Sequence, residues 1–397
     1  MKRNTSAAVT GMGCICAAGS HVAECMTSLF KEERHMKPPS RFKSTHKAAY
    51  PVFEVPDEFL SEELRTNEEL HLTSKFGVAA AHEAIRNAGI STGELAKKRV
   101  GVCVGTTVGS SMNDESFYRE FSGRRDPDMT PIKRFLRSNP ASAIAKEFTL
   151  KGPCQTVVNA CSSGTDAIGI GLSWIQSGLC DIVLAGGADE LCHVTYNGFI
   201  SLMITDDSPC KPFDKHRKGL NLGEGAGILV LEPEDSCKER KGAIRSYILG
   251  YGSSTDAYHL TAPHPGGEGL KRALSEVMTS CNVDPAEISF VNAHGTGTPD
   301  NDRVESRVLS ELLPGIPFLS TKGYTGHTLG AAGGIEAVFT IACLEGGRIP
   351  GNAGFSVRDP ELPISPVESA TPVSGRIALS QSLAFGGSNG VLLFTRG

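Results

Sequence analysis

The chain of 397 residues lacks several things that would assign it quickly. It has no surplus of basic residues: 39 Lys plus Arg stand against 44 Asp plus Glu, a net charge of −5. A nucleic-acid binder usually carries a basic face, so that class finds no support. It has no CxxC pair among its 12 cysteines, which argues against a zinc site of the usual spacing. The cysteines fall in apolar segments (Cys103, Cys180, Cys343), where they read as buried free thiols. No apolar run reaches the length needed to cross a bilayer, so no membrane association is expected. Met1–Thr10 are polar and lead straight into a strand-like segment, so a secretory leader is not expected either. There is no linker rich in Pro, Ser or Gly, so any two halves should pack rigidly. A reduced, cytoplasmic enzyme is the expectation.

Glycine is what the chain has in excess. It supplies 45 of 397 residues, about 11 per cent against a usual figure of about 7. These glycines sit in short apolar segments, as tight strand-to-helix turns require. Strand-like runs cover Ala7–Gly11, Val100–Val104, Thr156–Asn159, Asp181–Ala185 and Gly225–Leu231, then Ile244–Gly250, Ile288–Ala293, Phe318–Ser320, Ile377–Ser382 and Gly390–Phe394. Helical spacing covers Thr73–Ala88 (stopped by Gly89), Ser163–Ser177 (stopped by Gly178), Leu270–Thr279 and Ala331–Leu344. The alternation predicts α/β layering. Residues 31–70 and 106–140 are more polar and decorate the first half. The halves also rhyme: "TVVNACSSG" before one helix matches "FLSTKGYTGHTLGAAGG" before another, and "IVLAGGADE" matches "LAFGGSNG". A duplication would explain the length. The expected boundary puts residues 1–240 in an N-terminal half and 241–397 in a C-terminal half.

Four segments carry chemistry. In Asn159-Ala160-Cys161-Ser162-Ser163-Gly164 a strand ends and a helix begins, with Cys161 in the turn. A thiol at a helix N-terminus feels the positive end of the dipole, so a lowered pKa and a nucleophilic role are expected. One more buried thiol among twelve is the plain alternative. In Asn292-Ala293-His294-Gly295-Thr296-Gly297 a histidine follows a strand end, as an acid, base or hydrogen-bond donor would, or as a structural residue. The glycines there do not have phosphate-loop or dinucleotide spacing. Lys322 and His327 share one loop, with Glu336 in the helix beyond. A Lys near a His keeps the imidazole neutral, unless both belong to a solvated loop. Phe385-Gly386-Gly387 is either a hairpin turn or a loop presenting backbone N–H groups to an oxyanion.

Cys161, His294, Lys322 with His327, and Phe385-Gly386-Gly387 follow one another at intervals near 130, 30 and 60 residues. With Lys211-Pro212-Phe213-Asp214 through Gly227, and "SSTDAYHLTAPHP" at Ser253–Pro265, the order resembles β-ketoacyl-acyl carrier protein synthases of the Cys-His-His class. The resemblance covers essentially the whole chain. It implies the thiolase fold, five layers α-β-α-β-α built from two similar halves, and a dimer. It implies decarboxylative Claisen condensation of an acyl thioester with malonyl-acyl carrier protein, without metal or redox cofactor. Cys161 would be the nucleophile. His294 and His327 would donate to the malonyl thioester carbonyl. The N–H groups of Cys161 and Phe385 would form the oxyanion hole, and Phe385 would gate the acyl pocket. Lys322 with Glu336 would form an inner ion pair, with Asp302 and Glu305 as supporting acids.

The resemblance also separates relatives. A thiolase would carry a second cysteine in the last Gly-rich loop, and starter-unit synthases replace His327 by Asn. A chain-length factor, the non-catalytic partner of a type II ketosynthase heterodimer, would lack Cys161. The implied partners are acyl carrier protein and either a second copy or a chain-length-factor-like subunit. Carrier proteins are acidic, and the family docks them on bases near the pocket mouth. Here Asn67-Glu68-Glu69-Leu70-His71, Asp126-Pro127-Asp128-Met129 and Ile204-Thr205-Asp206-Asp207 offer acids instead. Nearby bases are Arg124, Arg125, Lys133, Arg134 and Arg137. A specialised carrier or a non-identical partner is therefore expected, as in a type II polyketide or polyene system. Val108 is expected at the bottom of the acyl pocket.

Overall fold

The apolar strand runs pair into sheets, and the order of pairing repeats. The computed structural model describes residues 6–44, 46–108, 114–123, 125–137 and 139–397. The first half supplies β1 (Ala7–Cys16), β2 (Val100–Gly105), β3 (Cys154–Val157), β4 (Ile182–Asp189) and β5 (Gly225–Glu232). The second supplies β6 (Ser246–Thr255), β7 (Ile288–Asn292), β8 (Phe318–Leu319), β9 (Ile377–Leu383) and β10 (Ser388–Arg396). The first five lie in the order β3-β2-β4-β5-β1, and the second five in the order β8-β7-β9-β10-β6. Counted within each half, both orders are third, second, fourth, fifth, first. The directions repeat too. β2 is parallel to β3 and β4, while β5 is antiparallel to β4 and β1. β7 is parallel to β8 and β9, while β10 is antiparallel to β9 and β6.

The two sheets join at one edge, where Ala7, Ala8 and Val9 of β1 pair with Ile248, Tyr247 and Ser246 of β6. Helices fill the other layers: α1 (Val22–Phe30), α2 (Leu72–Ala88), α3 (Pro140–Glu147), α4 (Ser163–Gln176), α5 (His193–Ser201), α6 (Glu268–Cys281), α7 (Pro299–Leu312) and α8 (Ala332–Gly346). α4 and α8 pack on each other and on strands of both sheets. α2 and α3 cover the outer face of the first sheet, and α6, with α7 beside it, covers the second. This is the five-layer α-β-α-β-α arrangement. Strands covered on both faces must be apolar throughout, and β1, β2, β4 and β5 are buried at every position.

The sheet-facing segments match their sequence pattern within a few residues. α1, α3, α5 and α7 were not legible from periodicity, and α7 carries two of the expected site acids. One expectation is corrected. The 18-residue stretch Leu329–Gly346 is apolar and long enough to span a bilayer, but 83 per cent of it is buried inside the protein. A helix surrounded by two sheets needs no polar face. The glycine surplus has a related cause. A Cβ on Gly164 would lie 2.8 Å from the Gly330 carbonyl oxygen, and one on Gly334 would lie 2.4 Å from that of Gly227. The starts of α4 and α8 approach each other and the sheet where glycine leaves room, Gly333 of α8 lying against Thr165 of α4.

Candidate active site

Cys161 stands between β3 and α4, where the chain makes a kink that few side chains allow. Ala160 has φ 47°, in the left-handed region. Hydrogen bonds from the Ser162 and Ser163 hydroxyls to the Asn159 and Ala160 carbonyls hold the turn. Asp166 of α4 fixes it from below, accepting from Asn159 Nδ2 at 2.6 Å, Ser162 Oγ at 2.9 Å and the Tyr251 hydroxyl at 2.6 Å. The Cys161 side chain is buried, and its Sγ lies 3.0 Å from His327 Nε2.

His294 follows the end of β7. Its backbone N–H and that of Gly295 both donate to Glu305, at 2.5 and 2.7 Å. The His294 and His327 rings meet edge-on, 5.3 Å between centroids. Sγ of Cys161 and one nitrogen of each histidine lie within 4.8 Å of one another. Lys322 Nζ sits 3.2 Å from His294 Nδ1 and forms a tight ion pair with Glu336. The expectation paired Lys322 with His327, its neighbour in the loop. The direct contact is instead to His294, 28 residues away in sequence, because the loop after β8 lies beside the end of β7. An ammonium donates, so His294 Nδ1 accepts and its proton is on Nε2, facing the cavity side.

Electrostatics correct a second expectation. Burial pushes the Cys161 thiol up to about 11, against the pull of the Phe385 N–H, Lys322 and its own N–H. The helix N-terminus is where the sequence placed it, but desolvation of the thiolate outweighs it. Burial, reinforced by Lys322, holds both His294 and His327 well below the usual imidazole range, so both are neutral. Burial raises Glu336 to about 7, with Lys322 opposing. Asp302 is likewise raised by burial to about 7. It accepts from the backbone of Phe213 at 2.7 Å and Gly297 at 3.2 Å. Glu305 takes Gln381 Nε2 at 2.6 Å in addition to the His294 loop. Asp302 and Glu305 thus shape the loop and do not touch the histidine rings.

A cavity of about 340 Å³ opens onto Cys161, His294 and His327. Phe385 lines it and stacks on Phe199 of α5, centroids 5.6 Å apart and 11° between planes. The Phe385 N–H acts on Sγ of Cys161, and the chain turns away just after it through Gly386 and Gly387, at φ 84° and 82°. The rhyme with Gly186-Gly187 is only partial, since those two lie inside β4. Val108 does not line this cavity; its N–H reaches Asp189 Oδ1 at 3.4 Å. Arg125, Lys133, Arg134 and Arg137 do not line it either, and Arg134 faces a separate cavity beside His71 and Glu190. Arg124 lies outside the described residues.

Sequence reasoning missed Asp189. It is fully buried at the end of β4, raised by burial to about 6, and bridges Thr106, Thr107 and Gly330 at 2.7–3.1 Å. A charged residue ending an apolar strand was the available signal. Among the described residues two groups could hold a metal by proximity: Cys161 with the two histidines, and Cys14, Cys16 and Cys25 in the core.

Comparison with known proteins agrees with this geometry. Residues 4–236 match the β-ketoacyl synthase N-terminal domain and residues 245–356 the β-ketoacyl synthase C-terminal domain. The chain is 32% identical to 3-oxoacyl-[acyl-carrier-protein] synthase 2 of Staphylococcus aureus, covering 100% of this chain and 99% of that one. It is 34% identical to the Synechocystis sp. protein of the same name, covering 98% and 97%. It superposes on the ishigamide ketosynthase/chain length factor with a TM-score of 0.92 at 31% identity, covering 99% of both chains. With its two thiolase-type halves meeting around a cysteine and two histidines, the chain belongs to the β-ketoacyl synthase family.

Proposed function

We propose that the chain elongates an acyl chain by two carbons through decarboxylative condensation with malonyl-acyl carrier protein. The observation that carries this is Cys161 Sγ at 3.0 Å from His327 Nε2, with a neutral His294 beside it and backbone N–H groups behind. In the first half-reaction Cys161 attacks the acyl thioester. The carbonyl oxygen gains negative charge and is held by the N–H groups of Cys161 and Phe385. A thiol near pKa 11 gives up its proton only as the C–S bond forms, and His327 Nε2–H, 3.0 Å from Sγ, donates to the developing thiolate. The proton leaves with the carrier thiol.

In the second half-reaction the malonyl thioester carbonyl lies between His294 and His327. Loss of carbon dioxide leaves an enolate, whose oxygen takes two hydrogen bonds from neutral imidazoles. The enolate carbon attacks the Cys161 thioester, a C–C bond replaces the C–S bond, and the released Cys161 thiolate takes a proton from solvent, the first one having left on the carrier thiol. Lys322 and Glu336 act through His294: they fix its tautomer and are positioning residues.

Intact-mass measurement tests the assignment. Wild-type protein gains one acyl group, Cys161→Ala gains none, and His294→Ala gains the group but releases no carbon dioxide from malonyl carrier. Acylation at another cysteine overturns it. The partners that fit are carrier proteins bearing acyl and malonyl thioesters, and a second subunit, either another copy or a chain-length-factor-like chain. The exposed edge strand β3 supports the latter contact.

A further inference from the structure

The mouth of the catalytic cavity is apolar where a charge-reading surface would be basic. Two segments frame it. One is the end of α5, where Leu202 and Met203 line the opening. Met203 is 87 per cent exposed and has φ 58°. A bulky apolar residue in left-handed backbone with its side chain in water is doubly unfavourable for an isolated chain. The other is the loop after β6, where Thr261, Ala262 and Pro263 line the opening and Tyr258 and Leu260 stand beside them. Leu260 is 79 per cent exposed, and Tyr258 is exposed as well.

This loop is held in place. Its own carbonyl at Leu260 accepts the Gly386 N–H at 2.8 Å. His259 Nδ1 accepts from the N–H groups of Thr261 and Ala262, and Tyr258 packs edge-on against His264. The exposed apolar side chains therefore sit on ordered backbone and are tied to the Phe385 loop. Charge at the same rim does not favour an anion. Among the described residues the charged ones lining the cavity are Lys218, Asp256 and Asp300, and Asp207 is exposed next to the α5 end. In the adjoining basic segment Arg217 is buried against Asp359 and Asp302, while Lys215 is exposed.

We propose that the carrier protein seats on an apolar collar formed by Leu202, Met203, Tyr258 and Leu260. Its cognate partner is then a carrier with an apolar face around the phosphopantetheine attachment site, not one recognised chiefly by negative charge. The proposal rests on the condensing-enzyme reading above. Contiguous exposed apolar side chains around a site mark an interaction surface. Continuity with the cavity names the occupant, since whatever delivers a tethered thioester to Cys161 must cover this rim.

The test compares one acyl and malonyl pair in three forms: on an acidic type II fatty-acid carrier, on the same carrier with its acids beside the phosphopantetheinyl serine replaced by Leu or Ala, and as carrier-free pantetheine thioesters. The readout is the ratio of carrier-bound to carrier-free kcat/KM. The neutralised carrier should serve at least as well as the acidic one. Both Leu260→Asp and Leu260→Lys should lower the ratio about tenfold, as loss of a central interface contact does. Raising salt from about 0.01 M to about 1 M, which shortens the screening length from about 30 Å to about 3 Å, should leave the ratio within about threefold. Docking by charge predicts the opposite pattern: Leu260→Lys raises the ratio, Leu260→Asp lowers it, and neutralising the carrier lowers it. That pattern, or no response to either Leu260 variant, overturns the collar. Absence of turnover with carrier-free thioesters as well would instead sink the condensing-enzyme reading.

Discussion

The two halves make the same turn and use it differently. Ala160 and Leu329 both take left-handed backbone, φ 47° and 51°, each three residues before the start of a central helix. The residue after the kink is Cys161 in one half and Gly330 in the other. A Cβ on Gly330 would lie 2.4 Å from backbone atoms of Thr106 and Thr107, so this elbow is closed by the neighbouring segment. The elbow at Cys161 opens on the cavity. The second half contributes instead the residue two places before its kink, His327, which reaches back to Cys161. The same turn thus presents a cysteine to the cavity in one half and, two residues before its kink, the histidine that contacts that cysteine in the other.

The sharpest way to break the comparison is at Cys161, the proposed nucleophile. Cys161→Ala should reduce condensation on the order of 10⁴-fold or more, measured as product from acyl and malonyl carrier. Next is Lys322, whose removal leaves Glu336 buried without its partner. Lys322→Ala should destabilise the fold by about 3–5 kcal/mol in denaturant titration, because a broken buried pair strands one charge. The conservative Lys322→Met variant reads electrostatics through pH. The proposed mechanism needs neutral histidines, which exist above their pKa. Burial and Lys322 lower both, so the acid limb of kcat/KM lies below pH 6.5. Without the ammonium the imidazoles protonate more readily, and the limb moves to higher pH. A limb that stays in place would show that Lys322 does not act on the histidines.

Smaller effects separate the elbows themselves. Gly330→Ala forces a methyl against Thr106 backbone and should destabilise by about 1–3 kcal/mol. Leu329→Gly relieves the kink but removes a fully buried side chain, for a net loss of about 2–4 kcal/mol. Ala160→Gly relieves the same kink with little side chain to lose, so its change stays within about 1 kcal/mol. Equal responses at Leu329 and Ala160 would show that packing around the two elbows does not differ as described.

Much of this was legible in the chain. All ten sheet strands and the four helices α2, α4, α6 and α8 carry the periodicity of elements packed in a layered core, and Gly89 and Gly178 stop their helices in the left-handed conformation expected of them. The helix α7 was not legible although it is as long as α4 and α6, because Pro299–Leu312 mixes acids that face inward, Asp302 and Glu305, with a polar outer face. A buried carboxylate looks like a surface residue until its N–H donors are known. Asp189 escaped notice for the same reason.

The sequence by itself determined the ten strands of the main sheet, four of the helices, the rhyme between the halves and the kinds of residue at the four glycine-rich loops, since each is a local pattern of period, turn and motif. Tertiary structure alone decided which histidine Lys322 touches, that the Cys161 thiol is raised rather than lowered, and where the cavity opens. Those depend on burial and on distances between residues far apart in the chain. The electrostatic state of a group is set by what surrounds it in space, and the neighbours of Cys161 come from both halves of the fold.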